Sequence, residues 1–396
     1  MSIQQMFFAS LASGGGYVIN GSGTFDGTSG YLSRTPSGAS NRTTWTFHVI
    51  AKRFNSSGDH QLFEAGSSSG TRNFIQYNSA GKATIASRGP TTQLDSAALF
   101  RDPSAWHDLL FVWDTSDSTA ADRVKIYSNG VRLTDLATDT QATSSLNSIV
   151  NTVIIHTIGR ASWSAANFGN YALARVALID GLALTPSSFG ETTDDGYWQI
   201  NDISGLTFGT NGFLLEGSNG LSNYPIATAD MTGASAPSGD VTSSAENSGE
   251  LNWHAFDRDA ATYWNANDGG VASLTYHFDS TKTIASYSIQ NRSGGTNGHP
   301  ENWTIQGSNN GSDFTTLDTQ TGQDFSASTI LYYTFKNATA YSYYRLNVTE
   351  SQADEGPIVA EWAMYETQDL SGNGAGFLKS GTITATNDSP TNGDAE

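Results

Sequence analysis

The sequence predicts an all-β protein that is divided into more than one β-sandwich. Its 396 residues include 41 glycines, and only 14% of them are charged, against a usual share of about 25%. With abundant Ser, Thr and Asn, this composition is typical of short strands joined by polar turns. The apolar fraction of 37% supplies hydrophobic cores, and the length exceeds what one ordinary core accommodates.

Strand patterns follow one another through the first half of the chain. Residues 44–49 alternate between apolar and polar with period two, and residues 109–113 form the continuous apolar run of a sandwich-core strand. Residues 124–133 predict a hairpin, because the Asn129-Gly130 pair supplies the positive φ values of a tight turn. No segment carries a sustained 3.6-residue apolar stripe, so we expect short and few helices.

Motifs spaced along residues 17–216 resemble those of the concanavalin-like, laminin-G-type jelly rolls encoded by bacteriophages. They are YLSRTP (31–36), NRTTWT (41–46), WHD (106–108), VKIYSNG (124–130), IDG (179–181), FGE (189–191) and FGTNGF (208–213). The resemblance implies a jelly-roll sandwich in a virion protein, and it says little about a ligand.

A second set of motifs lies further along. The segment WHAFDRDAATYW, residues 253–264, and the segment IVAEW, residues 358–362, resemble the coagulation-factor type C (discoidin) domains and related bacterial carbohydrate-binding modules. The resemblance implies a galactose-binding-like β-sandwich that binds rather than catalyses. Trp264, and Trp303 in an alternating strand, are expected in its core.

These patterns predict five regions. They are an N-terminal segment (1–16), the jelly roll (17–216), a Gly- and Ser-rich linker (217–240), the discoidin-like domain (241–366) and a C-terminal tail (367–396). The tail resembles the segment that phage jelly rolls carry directly after their last strand, so the discoidin-like domain is expected to be an insertion. Residues 1–16 either dock into another virion protein or form a frayed terminus.

Closely spaced oxygen ligands predict a cation loop. Asp257 and Asp259 are two residues apart, which suits a hard cation such as Ca²⁺. The resemblance adds Thr262 and the distant Glu361 as ligands of a structural calcium ion. The alternative is two solvated loop aspartates and a capping threonine. Arg258 replaces the glycine that the family usually has between the aspartates, which strains the loop if this position needs a positive φ.

The resemblance also implies that ligand contacts come from loops at one end of the sandwich. There, an exposed aromatic ring stacks on a sugar while polar side chains bond its hydroxyls. The candidate carbohydrate-binding residues are Trp253, His254, Asn291, Arg292, Asp354 and Glu355.

Other functions are disfavoured. The net charge of −19 argues against nucleic acid, whose binders need a basic face. No apolar stretch is long enough for a membrane span, and the absence of cysteine agrees with assembly in a reducing cytoplasm or with a microbial origin. Glutamates are rare in the first region and are not spaced as the paired acids of a glycosidase. The seven histidines show no zinc-binding pair. We therefore predict no enzymatic activity.

The sequence thus predicts a non-enzymatic bacteriophage virion component of the tail, fibre or head decoration, assembled in the host cytoplasm. Its expected partners are other virion proteins and host cell-surface glycans, and we expect a homo-oligomer whose many weak sites act together. The alternative is a purely structural protein that cements a capsid or tail without binding glycan. A cellular adhesin would require a secretion signal, and the N-terminus lacks the basic region of one.

Overall fold

The computed structural model describes residues 16–390 except 56, 90, 268 and 296, and all of their side chains except that of Asp354. The chain divides into two compact units. Unit 1 contains the described residues up to 223 together with 368–373 and those from 379 onward, and unit 2 contains 224–367 and 374–378. The predicted all-β class is confirmed, since the described residues contain 28 strands and one α-helix of six residues. Most of the predicted N-terminal segment lies outside the described residues.

The first sixteen strands belong to unit 1. They are β1 (Ser22–Asp26), β2 (Tyr31–Arg34), β3 (Thr44–Arg53), β4 (His60–Ser68), β5 (Thr71–Tyr77), β6 (Ala83–Arg88), β7 (Thr92–Ser96), β8 (Trp106–Asp114), β9 (Val124–Ser128), β10 (Val131–Arg132), β11 (Leu136–Thr140), β12 (His156–Ile158), β13 (Asn170–Asp180), β14 (Gly190–Thr192), β15 (Trp198–Ile200) and β16 (Phe213–Glu216). Short 3₁₀ helices lie at Ala120–Asp122 and Pro186–Ser188.

The remaining elements follow in chain order. The only α-helix among the described residues is α1 (Gly217–Ser222), and 3₁₀ helices lie at Asn252–Phe256 and Gln352–Asp354. The strands are β17 (Asp240–Ser243), β18 (Trp264–Asn265), β19 (Ala272–Lys282), β20 (Ile284–Gln290), β21 (Pro300–Ser308), β22 (Thr315–Gln320), β23 (Ile330–Thr334), β24 (Tyr341–Ser351), β25 (Ile358–Val359), β26 (Glu361–Glu366), β27 (Leu378–Ser380) and β28 (Ile383–Thr386).

Unit 1 is a sandwich of two eight-stranded antiparallel sheets. The first sheet has the order β10-β9-β8-β3-β13-β1-β28, with β16 also paired to β13, and the second has the order β11-β7-β6-β5-β4-β12-β2-β27. The sheets face each other, because Phe47 on β3 stacks on Phe63 on β4 with ring centroids 4.8 Å apart. Membership of the concanavalin-like family stays a prediction.

The predicted hairpin is confirmed at β9 and β10. Ser128 pairs with Val131, and the two turn residues between them, Asn129 and Gly130, have φ values of 47° and 78°. Both lie in the left-handed region that a two-residue hairpin turn requires. Asn tolerates this region better than other residues with a Cβ atom, so the local sequence alone selects the turn.

Buried polar side chains fasten the loops of unit 1 to its sheets. The carboxylate of Asp180, which is 5% exposed, accepts the Asn151 side-chain amide at 2.8 Å and the Asn211 backbone N–H at 2.9 Å. Asn211 in turn donates to the carbonyl of Gly38. One carboxylate therefore joins loops that are far apart in the sequence. These hydrogen bonds explain why the middle residue of the motif IDG, residues 179–181, is an aspartate.

Unit 2 is a second antiparallel sandwich. It contains a five-stranded sheet (β17-β19-β24-β21-β22), a three-stranded sheet (β23-β20-β26) and the two-stranded ribbon β18-β25. Its core includes Trp264 and Trp303, which are 0% and 1% exposed. The prediction that these tryptophans are core residues is therefore confirmed.

The segments predicted as a linker and a tail are more structured than the sequence indicated. Within 217–240, helix α1 belongs to unit 1 and the residues from 224 belong to unit 2. Buried Leu221 and Met231 are the apolar side chains that hold this polar stretch in place. Within the tail, β28 pairs with β1 and β27 lies beside β2, so the chain returns to unit 1 after unit 2. Residues 391–396 lie outside the described part.

No helix among the described residues is long and apolar enough to cross a membrane.

His156 makes the stability of unit 1 dependent on pH. The ring is 3% exposed, Nδ1 lies 2.7 Å from the Ile154 carbonyl, and Nε2 accepts the Asn151 N–H at 3.2 Å. Burial lowers the pKa of His156 to about 3, and the Arg34 charge adds to this, although the Ile154 bond opposes it. Because the unfolded chain takes up the proton near pH 6.5, the stabilisation is complete above that pH and is lost as pH falls toward 3.

We expect His156→Gln to weaken this pH dependence, because glutamine keeps one donor and one acceptor but does not titrate. The free energy of unfolding, measured with urea between pH 7 and pH 4, should fall more steeply in the wild type than in the variant. The difference in slope should approach about 1.4 kcal/mol per pH unit below pH 6. Parallel curves for the two proteins would contradict the assignment.

Candidate functional site

Loops at one end of unit 2 converge on the carboxylate of Glu250. Its oxygens accept hydrogen bonds from the Tyr263 hydroxyl at 2.6 Å and from the side-chain amides of Asn247 and Asn265, both at 2.8 Å. Burial raises the pKa of Glu250, but these three bonds and the Arg292 charge outweigh it, so the pKa of Glu250 is lowered overall. The carboxylate is therefore a fixed negative charge beside the Tyr263 ring.

Arg292 lies next to this carboxylate. Its Cζ is 5.7 Å from the centroid of the Tyr263 ring, and its Nη2 donates to the Asn297 carbonyl at 3.4 Å. The side-chain amide of Asn297 reaches Glu355 Oε1 at 3.2 Å. Asn297 and Glu355 are exposed, whereas Tyr263 and Arg292 are partly buried. We call Glu250, Tyr263, Arg292, Asn297 and Glu355 the loop-end group.

The loop-end group offers the chemistry of hydroxyl recognition. Arg292 supplies planar N–H donors, the two carboxylates supply acceptors, and the Tyr263 ring supplies a flat surface. The Glu250 bond raises the pKa of the Tyr263 hydroxyl, with burial second, so this hydroxyl remains a donor at neutral pH. A small polar ligand with several hydroxyls matches this set.

The sequence interpretation is partly corrected here. Arg292 and Glu355 are brought into one group through Asn297. Asn291 is 1% exposed, and its amide donates to the carbonyls of residues 295, 325 and 326. It therefore holds the loop in place rather than facing a ligand, because its donors are used by the backbone.

Trp253 and His254 also differ from expectation. Trp253 packs against the hydrophobic core of unit 2, and its ring centroid lies 4.2 Å from that of His254. The 3₁₀ helix that carries them rests on β17, β18 and β26. Trp253 therefore lies on the core side of that helix. The side chain of Asp354 lies outside the described part of the chain.

Five residues of the group and its support, one of them Asn265, were missed by sequence reasoning. Tyr263 is in the segment 253–264 that carries the discoidin resemblance, and Asn297 is in the same glycine-rich loop as Arg292. Their positions in the sequence could therefore have indicated both residues. Nothing in the sequence indicated Glu250 and Asn247, because only the folded loops bring them to Tyr263.

The predicted cation loop lies close by. The Thr262 hydroxyl donates to Asp257 Oδ2 at 2.7 Å and also lies 2.9 Å from the Asp259 carbonyl. The exposed carboxylate of Asp259 instead accepts the backbone N–H of Ala261. In this structure the Asp259 carbonyl, rather than its carboxylate, contacts the Thr262 hydroxyl. Arg258 has φ of 58°, the strained conformation that its substitution for glycine implied.

Glu361 reaches the same loop from β26. Both of its carboxylate oxygens are buried, and neither has a hydrogen-bond donor among the described residues. Burial and the neighbouring Asp257 carboxylate raise the pKa of Glu361 to about 8, while the Arg258 charge works in the opposite direction. The Arg258 guanidinium itself donates to the Thr228 carbonyl at 2.7 Å. A buried carboxylate without donors beside a second carboxylate is costly unless a cation or a proton lies between them.

These residues fit a calcium ion through mixed oxygen ligands. Asp257 and Glu361 would supply carboxylates, Thr262 a hydroxyl and Asp259 a carbonyl, as hard cations prefer. No group of three or more His, Asp or Glu side chains suited to metal binding occurs in the described part of the chain. An ion here would therefore depend on the hydroxyl and carbonyl ligands as much as on the acids.

Two buried carboxylates of unit 1, Glu64 on β4 and Asp95 on β7, lie on one face of the second sheet, with β5 and β6 between them. Three inter-strand spacings separate them by about 14 Å. The paired acids of a glycosidase lie about 5 to 9.5 Å apart. These two residues are therefore too far apart to act as such a pair.

Comparison with known proteins identifies part of the chain. Residues 240–366 match the F5/8 type C domain family, and no curated protein matches the chain. Similar solved structures include CpGH89CBM32-5 from Clostridium perfringens in complex with GalNAc-β-1,3-galactose, at 18% identity over 32% of this chain and 94% of that one, with a TM-score of 0.30.

Two further structures are similar to the chain. One is the family 32 carbohydrate-binding module of C. perfringens NanJ with galactose, at 19% identity over 32% of this chain and 93% of that one, with a TM-score of 0.30. The other is chitosan-binding module 2 of a Paenibacillus sp. IK-5 chitosanase/glucanase with chitotriose, at 22% identity over 33% and 98%, with a TM-score of 0.29. Within this protein, residues 240–366 form a β-sandwich of the F5/8 type C (discoidin) family.

Proposed function

We propose that unit 2 binds a carbohydrate through the loop-end group. The observation that carries this proposal is the exposed Asn297–Glu355 pair, which stands beside the guanidinium of Arg292 and the ring of Tyr263. Donors, acceptors and an aromatic face within one patch suit a sugar, whose ring has hydroxyls at its edge and an apolar face.

The charges of the group favour a neutral or amino sugar. Glu250 and Glu355 bring two negative charges against the one positive charge of Arg292, so an acidic sugar would be repelled. Arg292 Nε is buried without a partner among the described residues, so a sugar hydroxyl that reached this guanidinium would satisfy an unused donor.

We further propose that calcium stabilises this module at Asp257, Thr262 and Glu361. Support comes from the two buried oxygens of Glu361, which have no donor among the described residues and lie near the Asp257 carboxylate. A bound cation would neutralise both acids and tie the loop at 257–262 to β26. Its role would be structural, because the loop-end group binds with side chains of its own.

In the whole protein, this module would serve a bacteriophage virion component of the tail, fibre or head decoration. The resemblance of residues 17–216 to phage jelly rolls supports this placement. Unit 1 would anchor the protein among other virion proteins, and unit 2 would contact host-surface glycans. Weak sites repeated in a homo-oligomer would act together on one particle. The alternative is a structural cementing protein that binds no glycan.

We expect Arg292→Ala to lower carbohydrate affinity at least about tenfold, because charge-assisted hydrogen bonds to the ligand are lost. The measurement is a glycan array probed with the multimerised protein, followed by titration calorimetry with the best neutral sugar. Arg345→Ala is the matched control, since Arg345 is on strand β24 with its Cζ 3.7 Å from the Phe314 ring centroid, is not a member of the loop-end group, and should leave binding unchanged.

Two results would count against the site. Equal losses in the Arg292 and Arg345 variants would show that the effect is general. A wild-type protein that binds no glycan even when multimerised would favour the structural cementing role.

For calcium, the informative change is Glu361→Gln. Calcium should raise the unfolding temperature of unit 2 in the wild type. The physical reason is mass action, because a ligand at a hundredfold excess over Kd adds about 2.7 kcal/mol to the free energy of unfolding. The variant should lose this response, yet in EDTA it should be at least as stable as the wild type, because a buried carboxylate next to Asp257 has been removed. Differential scanning calorimetry measures both.

Glu366→Gln, on the same strand, is the control and should keep the calcium response. A calcium-induced shift of equal size in wild type and Glu361→Gln would remove Glu361 from the site.

A further inference from the structure

A pair of arginines lies on the second sheet of unit 1, away from the core. Arg72 on β5 stands directly opposite Arg88 on β6. Phe74, two residues after Arg72, shares their face, while the alternate residue Ile75 pairs with the core residue Phe63. Side chains alternate between the faces of a strand, so both arginines project from the outer face of the sandwich.

These arginines lie against two aromatic rings. The Cζ atoms of Arg72 and Arg88 are 4.4 Å and 5.1 Å from the centroid of the Phe74 ring, and Arg72 Cζ is also 5.7 Å from the Trp163 ring. Phe74 is 3% exposed, but Trp163 is 41% exposed. We call Arg72, Phe74, Arg88 and Trp163 the arginine–tryptophan patch.

The positive charge of the patch is only partly neutralised by the protein. Glu64, which is 0% exposed, pairs with Arg72 at 3.0 Å. Arg88 donates instead to the neutral acceptors Gln93 Oε1 at 2.8 Å and Ser87 O at 3.3 Å. In the described part of the chain, no carboxylate lies within ion-pair distance of Arg88.

Like charges directly opposite each other in a sheet destabilise it. Burial lowers the pKa of Arg88, and the Arg72 charge lowers it further, while Asp95 acts against both. Arg72 Nε is buried without a partner among the described residues. An anion at Arg88 would relieve the repulsion, and a guanidinium binds a carboxylate with two parallel hydrogen bonds.

We propose that the arginine–tryptophan patch is a second carbohydrate site, in unit 1, and that it takes a sugar that carries a carboxylate, such as a hexuronate. The ring of the sugar stacks on Trp163 and its carboxylate pairs with Arg88. The whole chain has a net charge of −19, so the acidic surface outside the patch repels an acidic polymer. Binding of such a polymer is therefore confined to this patch.

The test is titration calorimetry of the full chain with a galacturonate oligomer and with a neutral galactose oligomer of the same length. The wild type should bind the acidic oligomer, more weakly as salt increases. Arg88→Gln and Trp163→Ala should each lower that affinity at least about tenfold. The control is Arg132→Gln, which removes an equal charge from β10 in the first sheet, where Arg132 pairs with Asp122. Its affinity for the acidic oligomer should stay within about twofold of the wild-type value.

Arg292→Ala separates this site from the one in unit 2, since it should leave galacturonate binding unchanged. Thermal unfolding checks that each variant is folded, and Trp163→Phe, which keeps an aromatic ring, should retain most of the affinity. Absence of galacturonate binding would overturn the proposal, as would equal affinity for the neutral oligomer. A loss of galacturonate binding in Arg292→Ala but not in Arg88→Gln would overturn it as well.

Discussion

The pairing of β18 with β25 is the contact on which both candidate sites of unit 2 depend. Trp264 pairs with Val359 and Asn265 with Ile358, which joins segments about a hundred residues apart in the sequence. Trp264 secures the ribbon, because its ring is fully buried and its Nε1 donates to the Ala245 carbonyl at 3.0 Å. A two-residue ribbon would be marginal alone, so this buried anchor is needed.

The loops on either side of this ribbon carry different chemistry. Tyr263 and Asn265 bond to Glu250, within the loop-end group, whereas Thr262 bonds to Asp257, in the loop near Glu361. Neighbouring residues of one segment thus serve two groups. A change in the cation loop is therefore expected to move the tyrosine of the loop-end group, which is how a structural ion would support binding without touching the ligand.

The two proposed carbohydrate sites are opposite in charge. The loop-end group places two carboxylates beside one guanidinium, and the arginine–tryptophan patch places two guanidinium groups beside the single paired carboxylate Glu64. Neutral or amino sugars suit the first and acidic sugars the second. A chain that carries both could bind a mixed surface polysaccharide more tightly than either site alone, provided that the spacing of the sugars allows both contacts at once.

Local patterns in the sequence determined the fold class, the hairpin at Asn129-Gly130 and the core positions of Trp264 and Trp303, because turn chemistry and two-residue alternation act over a few residues. A family resemblance located the discoidin-like domain. Gly and Ser predicted a linker at 217–240, and the structure adds that two apolar side chains in this segment, Leu221 and Met231, are buried.

Only the tertiary structure decided which side chains meet. Glu250 bonds to Tyr263, Asn291 is buried against backbone carbonyls, and Asn297 bonds to Glu355. None of these arrangements follows from spacing, because a loop side chain is oriented by long-range pairing and by the competition of backbone groups for its hydrogen bonds. The sequence determined which residues were available in each loop, and the packing of distant strands determined which of their side chains lie side by side at the surface.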